Sequence, residues 1–385
     1  MNNFRFNVCT DIRFGKDQVE ALPEIMSSLG KKVLMVYGGG SIRKNGLYDK
    51  VKMLLADFEV FELAGVEPNP KITSVREGVK LCKAHQIDVV LAVGGGSTID
   101  AAKVIAGGAH YEGDPWDLVV DSSEIGKVLP IVTVLTLAAT GSEMNKNAVI
   151  SNMEMNEKLG TSSRDFIPYA SICDPTYLFT LPSNQTAAGT ADIMSHIFEQ
   201  YFQPQKGAFI SDRFAESLLK ACIKYCPIAL EKPDDYEARA NLMWASTQAL
   251  NSLLTCGKGG GWTCHPIEHE LSAFYDITHG VGLAIVTPRW MRYILNEDTV
   301  DKFCEYGRNV WGITETNPYK CANMAIDATE NFFKACGIPM TLGEVGIDDS
   351  KFKVMAEKAV RLGGLQDAYV PLNEKDVETI LRACL

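Results

Sequence analysis

Residues 88–97 read DVVLAVGGGS: five apolar residues, Val89 to Val93, closed by three glycines and a serine. A short β-branched run that stops at a glycine cluster predicts a strand followed by a tight turn. The same pattern recurs on either side. Residues 33–40 read VLMVYGGG, residues 60–63 form another short strand candidate, and residues 129–143 read LPIVTVLTLAATGSE, again ending in small residues. Helical periodicity lies between them, as in 74–85, where Val75, Val79, Leu81 and Cys82 share one face. Strand, glycine turn, helix and strand again is the signature of a parallel sheet with helices on its faces. Ligands of such sheets bind at the carboxyl ends of the strands, so the edge carrying these turns is the expected cofactor site.

Beyond Pro182 the β-branched runs thin out. Helical patterns follow over 184–202, 208–225, 236–255, 301–311, 319–336 and 376–384, with Ser183 and Asn184 as plausible N-caps. The expected fold is therefore an α/β N-terminal dinucleotide-binding domain with a parallel, Rossmann-like sheet, residues 1–182, and an all-α C-terminal metal-binding and catalytic domain, residues 183–385. A cleft between two such domains is the natural active site.

Composition excludes several classes. The chain has 385 residues, 37 Lys plus Arg and 48 Asp plus Glu, a net charge of −11. Nucleic acid and anionic membranes need clustered cations, so neither is expected as a partner. No apolar run approaches the roughly 20 residues of a membrane helix. The start, MNNFRFNVCTDIRFG, lacks the charged-then-apolar pattern of a signal peptide. The expected location is the cytoplasm, with the eleven cysteines, none in a CxxC pair, as reduced thiols.

The turn Gly94-Gly95-Gly96-Ser97 opens a helix over 98–106. Glycines let the backbone approach a pyrophosphate, and the helix start supplies N–H groups and the positive end of a dipole. The pattern is not G-x-G-x-x-G, so the usual dinucleotide fingerprint is absent. The other turn, Tyr37-Gly38-Gly39-Gly40-Ser41, is followed by Arg43 and Lys44 and carries no acidic residue at the strand end. An NAD site usually places a carboxylate there for the ribose 2′-OH. Glycines, a serine hydroxyl and two cations suit a 2′-phosphate instead, so NADP is expected over NAD.

Three of only six histidines, His265, His269 and His279, fall within fifteen residues, and a fourth, His196, lies four residues after Asp192. On a helix, residues four apart point the same way. One carboxylate with imidazoles suits Zn2+ or Fe2+. Asp192, His196, His265 and His279 are the expected ligands. His269, one turn beyond His265, is free to point toward substrate. His85 and His110 show no such spacing and read as surface or structural residues.

GGGS-x-x-D-x-x-K (94–103), ATGSE (139–143), DPTYLFTLP (174–182), Asp192-x3-His196 and H-x3-H-x9-H-G (265–280) together resemble the iron-containing (group III) alcohol dehydrogenase family. The resemblance runs from Arg13-Phe14-Gly15 to the last helices. YGGGS, Glu67-Pro68-Asn69-Pro70 and DRFAESLL (212–219) look closest to its NADPH-dependent butanol dehydrogenase and aldehyde reductase branch. It implies an NAD(P)-dependent enzyme, usually a homodimer, that exchanges hydride between a nicotinamide cofactor and a small primary alcohol or aldehyde such as butanol or butanal. The family's metal ligands fall on Asp192, His196, His265 and His279. Its cofactor contacts fall on Gly38, Gly39, Ser41, Asn69, Gly95, Gly96, Ser97, Asp100, Thr136 and Thr140. Lys158 matches a lysine near the nicotinamide, and His269 a histidine lining the reaction cleft.

The chain departs from the commoner family pattern at Val134-Leu135-Thr136, where P-T-T is usual, and at Met144-Asn145, where Val-Thr is usual. These positions border nicotinamide and substrate, so substrate choice does not transfer; Gly259-Gly260-Gly261-Trp262 is a further candidate for shaping the pocket. The rival readings are a glycerol-dehydrogenase-like polyol oxidoreductase, a dehydroquinate-synthase-like lyase and a non-catalytic metal- or nucleotide-binding protein. A lyase of that kind needs several Lys and Arg in the pocket, and WTCHPIEHELSAF (262–274) is poor in them.

Overall fold

A computed structural model describes all 385 residues. They divide into two compact units, one of Asn7–Leu181 with Lys232–Asn251, the other of Met1–Phe6, Pro182–Glu231 and Ser252–Leu385.

The first unit is α/β. Its strands are β1 (Asp11–Phe14), β2 (Lys32–Tyr37), β3 (Glu59–Leu63), β4 (Val89–Gly94), β5 (Ile131–Leu135), β6 (Asn147–Asn152), β7 (Glu157–Ser162) and β8 (Ala170–Cys173). Six of them make one parallel sheet in the order β1-β8-β5-β4-β2-β3, while β6 and β7 pair as an antiparallel hairpin. Successive side chains of a strand point to opposite faces. Leu34, Val36, Val90 and Ala92 enter one core cluster, and Val33, Met35, Val89, Leu91 and Val93 enter another. Both faces are covered, which is why β2 and β4 read as unbroken apolar runs rather than as alternating patterns. Each buried Val or Leu contributes about 1.5–3 kcal/mol.

The strands expected at 33–40, 60–63, 88–97 and 129–143 are β2 to β5. The two four-residue strands β1 and β8 and the β6–β7 hairpin were not anticipated from the sequence. The helix Tyr236–Ala249, read from sequence with the C-terminal helices, groups with the α/β unit. Its Met243 joins the sheet's core cluster, and its Trp244 ring packs edge-on against Phe14 at 5.6 Å between centroids.

The second unit contains no strand. The helix Ser183–Tyr201 is buried continuously from Thr186 to Tyr201 and packs against Phe209–Glu231 and His279–Tyr293. A helix enclosed on all sides is normally apolar all round. Asp192, His196 and Glu199 inside it therefore need partners, because a buried polar group without one is costly. The helix Cys264–Tyr275 packs against His279–Tyr293 and Phe352–Gly363. No helix is long and apolar enough to cross a membrane.

Candidate functional site

In the helical unit, Asp192 and His196 occupy successive turns of Ser183–Tyr201, His265 sits in the first turn of Cys264–Tyr275, and His279 is the first residue of His279–Tyr293. Their ring nitrogens converge on one carboxylate oxygen. Asp192 Oδ1 lies 3.5 Å from His196 Nδ1, 3.9 Å from His265 Nε2 and 3.6 Å from His279 Nε2. Ligand atoms of Asp192, His265 and His279 all lie within 4.8 Å of one another. The His196 and His265 rings stack at 4.7 Å between centroids.

These separations are too long for good hydrogen bonds. Two ligands each about 2.1 Å from a tetrahedral cation would stand roughly 3.4 Å apart, close to what is seen. Asp192 Oδ1 and His265 Nε2 are buried with no hydrogen-bond partner. Leaving a carboxylate oxygen and an imidazole nitrogen so is unfavourable by about 1–3 kcal/mol each, more for a charged group. A divalent cation among them removes that penalty, so the donor set fits one, and O with three N suits Fe2+ or Zn2+.

Two carboxylates that the sequence analysis did not single out brace the rings. Glu199 Oε1 faces His265 Nδ1 at 3.1 Å and accepts the His265 backbone N–H at 2.9 Å, while Oε2 accepts that of Thr263 at 2.9 Å. Glu268 contacts His279 Nδ1 through Oε2 and accepts the Ser272 hydroxyl at 2.5 Å through Oε1. The signal was present, since Glu199 is seven residues after Asp192 and falls on the same helix face. His269 lies further along, its ring centroid 6.4 Å from His265 and 5.9 Å from His279. Trp262 covers His265 at 4.6 Å and His196 at 5.8 Å between centroids. The glycines before it allow close passage: a Cβ at Gly261 would meet the Gly364 carbonyl oxygen at 2.8 Å. Of the other histidines, His85 stacks on Phe61 and His110 is exposed.

In the α/β unit the glycine turns sit at the carboxyl edge of the sheet, as expected. Gly38 follows β2, Gly95 caps the helix Gly96–Gly108 directly after β4, and Thr136 follows β5, its N–H bonded to the Gly94 carbonyl at 3.0 Å. A Cβ at Gly96 would come within 2.3 Å of Thr140 Oγ1, so only glycine lets that threonine close over the turn. Gly39, Ser41, Arg43 and Lys44 are exposed, and Ser97 is half-buried. Asp100 is turned inward: its carboxylate accepts the Ser142 hydroxyl at 2.6 Å and the Val149 N–H at 2.9 Å. Buried Lys103 donates to Ser142 Oγ, to Asn145 O and Oδ1 and to Asn147 O, all within 3.0 Å. Asp100 and Lys103 thus hold the 140–149 segment against the helix start. Lys158 on β7 is buried and donates to Asn69 Oδ1 at 3.0 Å, with Asn69 in the left-handed region at φ 48°.

Beside the 38–44 turn, Arg43 is engaged. It donates to the Tyr37 hydroxyl at 2.6 Å, stacks on Tyr48 at 3.7 Å and lies 3.7 Å from Glu62. Glu62 also accepts from Tyr37 at 2.8 Å, from Tyr48 at 3.0 Å and from Lys52 at 2.9 Å. Partial burial opposes its ionisation, but hydrogen bonds from Lys52, Tyr37 and Tyr48 hold its carboxyl below the usual value.

The family model of iron-containing alcohol dehydrogenases matches residues 9–175, and that of the same family's C-terminal part matches residues 186–385. The chain is 55% identical to NADH-dependent butanol dehydrogenase A of Clostridium acetobutylicum, covering 99% of each. It is 40% identical to the NADPH-dependent aldehyde reductase YqhD of Escherichia coli, covering 95% of each. Among solved structures, an NADH-dependent butanol dehydrogenase A from Thermotoga maritima superposes with a TM-score of 0.96 at 42% identity, covering 100% of this chain and 99% of that one.

Proposed function

The chain belongs to the iron-containing alcohol dehydrogenase family and is an NAD(P)-dependent oxidoreductase of alcohols and aldehydes; from that premise we propose that it interconverts small aldehydes and primary alcohols of about butanal size at the Asp192 centre. The observation that carries this reading is the convergence of Asp192, His265 and His279 donor atoms within 4.8 Å in a buried helical unit.

Asp192, His196, His265 and His279 are the residues that would hold the cation. A bound Fe2+ or Zn2+ supplies Lewis acidity toward the oxygen of the alcohol or carbonyl. Reduction adds hydride to the carbonyl carbon and a proton to its oxygen. We assign the relay of that proton to His269, because an imidazole exchanges protons near neutral pH. Trp262 shields the His196 and His265 rings from water. In the α/β unit, Gly95, Gly96 and Ser97 with the helix start would receive the pyrophosphate, and Thr136 and Thr140 would border it. Lys158, steadied by Asn69, would face the nicotinamide end, and Asp100 acts by shaping the loop.

For the finer choice of cofactor we propose NADP(H): Gly38, Gly39 and Ser41 present no carboxylate, and the exposed Lys44 is a cation for a 2′-phosphate. A second reading, NAD(H), is favoured by the engagement of Arg43 with Glu62 and by the similarity to the NADH-dependent butanol dehydrogenases A and B of Clostridium acetobutylicum.

The test is removal of the metal. Treatment with a chelator should abolish aldehyde reduction, and Fe2+ or Zn2+ should restore it. In the restored enzyme, His269→Ala should lower kcat by about tenfold or more with metal content unchanged. Full turnover after verified metal removal ends the proposal, and an unchanged kcat ends the role of His269.

A further inference from the structure

We propose that Glu199 and Glu268 are positioning residues of the cation site, each fixing one imidazole by Nδ1 so that Nε2 is presented to Asp192. The inference rests on the reading of Asp192, His265 and His279 as cation ligands.

A neutral imidazole has one N–H and one lone pair, and the acceptor facing one nitrogen decides which nitrogen keeps the lone pair. For His265 that acceptor is Glu199, which is 2% exposed. Its carboxylate cannot swing away, because it also takes the backbone N–H groups of Thr263 and His265. Those donors belong to the start of the Cys264–Tyr275 helix, where N–H groups lack intrahelical partners. Glu199 therefore caps that helix and orients its first histidine together. The opposite nitrogen, His265 Nε2, then points at Asp192 Oδ1 across 3.9 Å.

Glu268 acts likewise on His279. It is fully buried, held by the Ser272 hydroxyl, and contacts His279 Nδ1 while His279 Nε2 faces Asp192 Oδ1 at 3.6 Å. Gly282 makes room for it: a Cβ there would meet Glu268 Cγ at 2.8 Å and Oε1 at 3.1 Å. The bracing runs in sequence along the chain. The Ser183–Tyr201 helix steadies the histidine of Cys264–Tyr275, and that helix steadies the histidine of His279–Tyr293. Carboxylates behind metal-bound histidines fix the ring and raise its basicity, and losing one typically weakens metal binding by about 10–100-fold.

The experiment titrates metal-free protein with Zn2+ against a competing chelating indicator. It compares wild type with Glu199→Gln, Glu268→Gln and Gly282→Ala, the last displacing Glu268 without removing its charge. The expected result is one tight site in wild type and about 10–100-fold weaker Zn2+ binding in both glutamine variants. Gly282→Ala should fall between. NADPH binding, read by nicotinamide fluorescence, should be unchanged. Wild-type Zn2+ affinity in folded Glu199→Gln overturns the role of Glu199, and wild-type affinity in folded Glu268→Gln and Gly282→Ala overturns that of Glu268, either result leaving the cation site intact. Absence of a tight site in wild type overturns the underlying reading instead. Should Glu199→Gln not yield folded protein, Glu199→Asp, which keeps the charge but shortens the reach to His265 Nδ1, tests that half, and wild-type Zn2+ affinity there overturns it.

Discussion

Lys103 is the buried charge on which the 140–149 segment depends. Burial pushes its ammonium down to about 8 from 10.5, against the pull of Asp100 and Glu143. With the folded value below the unfolded one, the unfolded chain holds the extra proton between those limits. Stability therefore rises with pH across that window, by at most about 1.4 kcal/mol per pH unit. Urea unfolding at pH 8 and pH 10 should show this rise in wild type and its loss in Lys103→Met; parallel pH curves would contradict it. The 38–44 turn is decided by single residues as well. NADPH should serve at least as well as NADH by kcat/KM, and Glu62→Gln, which removes the negative charge beside Arg43, should move the ratio further toward NADPH. A tenfold preference for NADH, about 1.4 kcal/mol, would reverse the assignment. At this scale the sequence was informative where spacing carries meaning. Asp192 and His196, and His265 and His269, stand four apart, and that interval shows wherever the helix lies. Glu199 left only a spacing signal, seven residues after Asp192, and Glu268 left none, because a glutamate in a helical stretch looks like a solvated charge until packing shows it buried beside a ring.

At the scale of elements, the turn after β4 depends on the Gly96–Thr140 contact. In Gly96→Ala the new Cβ must displace Thr140 or open the turn. The expected outcome is at least tenfold weaker cofactor binding, read by nicotinamide fluorescence, with metal content unchanged. Unaltered binding would remove this turn from the cofactor site. Strands β2 to β5 were readable because burial on both faces writes a continuous apolar run. Strands β1 and β8, DIRF and ASIC, are too short and mixed to stand out, and the β6–β7 hairpin, NAVISN to EKLGTS, lacks a clear alternation. The helices Phe209–Glu231 and His279–Tyr293 continue through Pro227 and Pro288, residues that normally signal a stop.

At the scale of the whole molecule, the chain combines an α/β unit that carries the proposed cofactor edge and a helical unit that carries the proposed cation site, and the parallel sheet and helical half were both legible in the order of patterns. The Tyr236–Ala249 helix shows the limit: helical spacing announces a helix but not which core receives it, and its allegiance emerges only where Met243 joins the sheet's core cluster and Trp244 meets Phe14. The most direct measurement is anomalous scattering at the Fe or Zn edge from crystals of metal-loaded protein, alongside Asp192→Asn. The account predicts one peak about 2.0–2.2 Å from Asp192, His196, His265 and His279, and its loss in the variant. A peak elsewhere, or none in fully active protein, would contradict it.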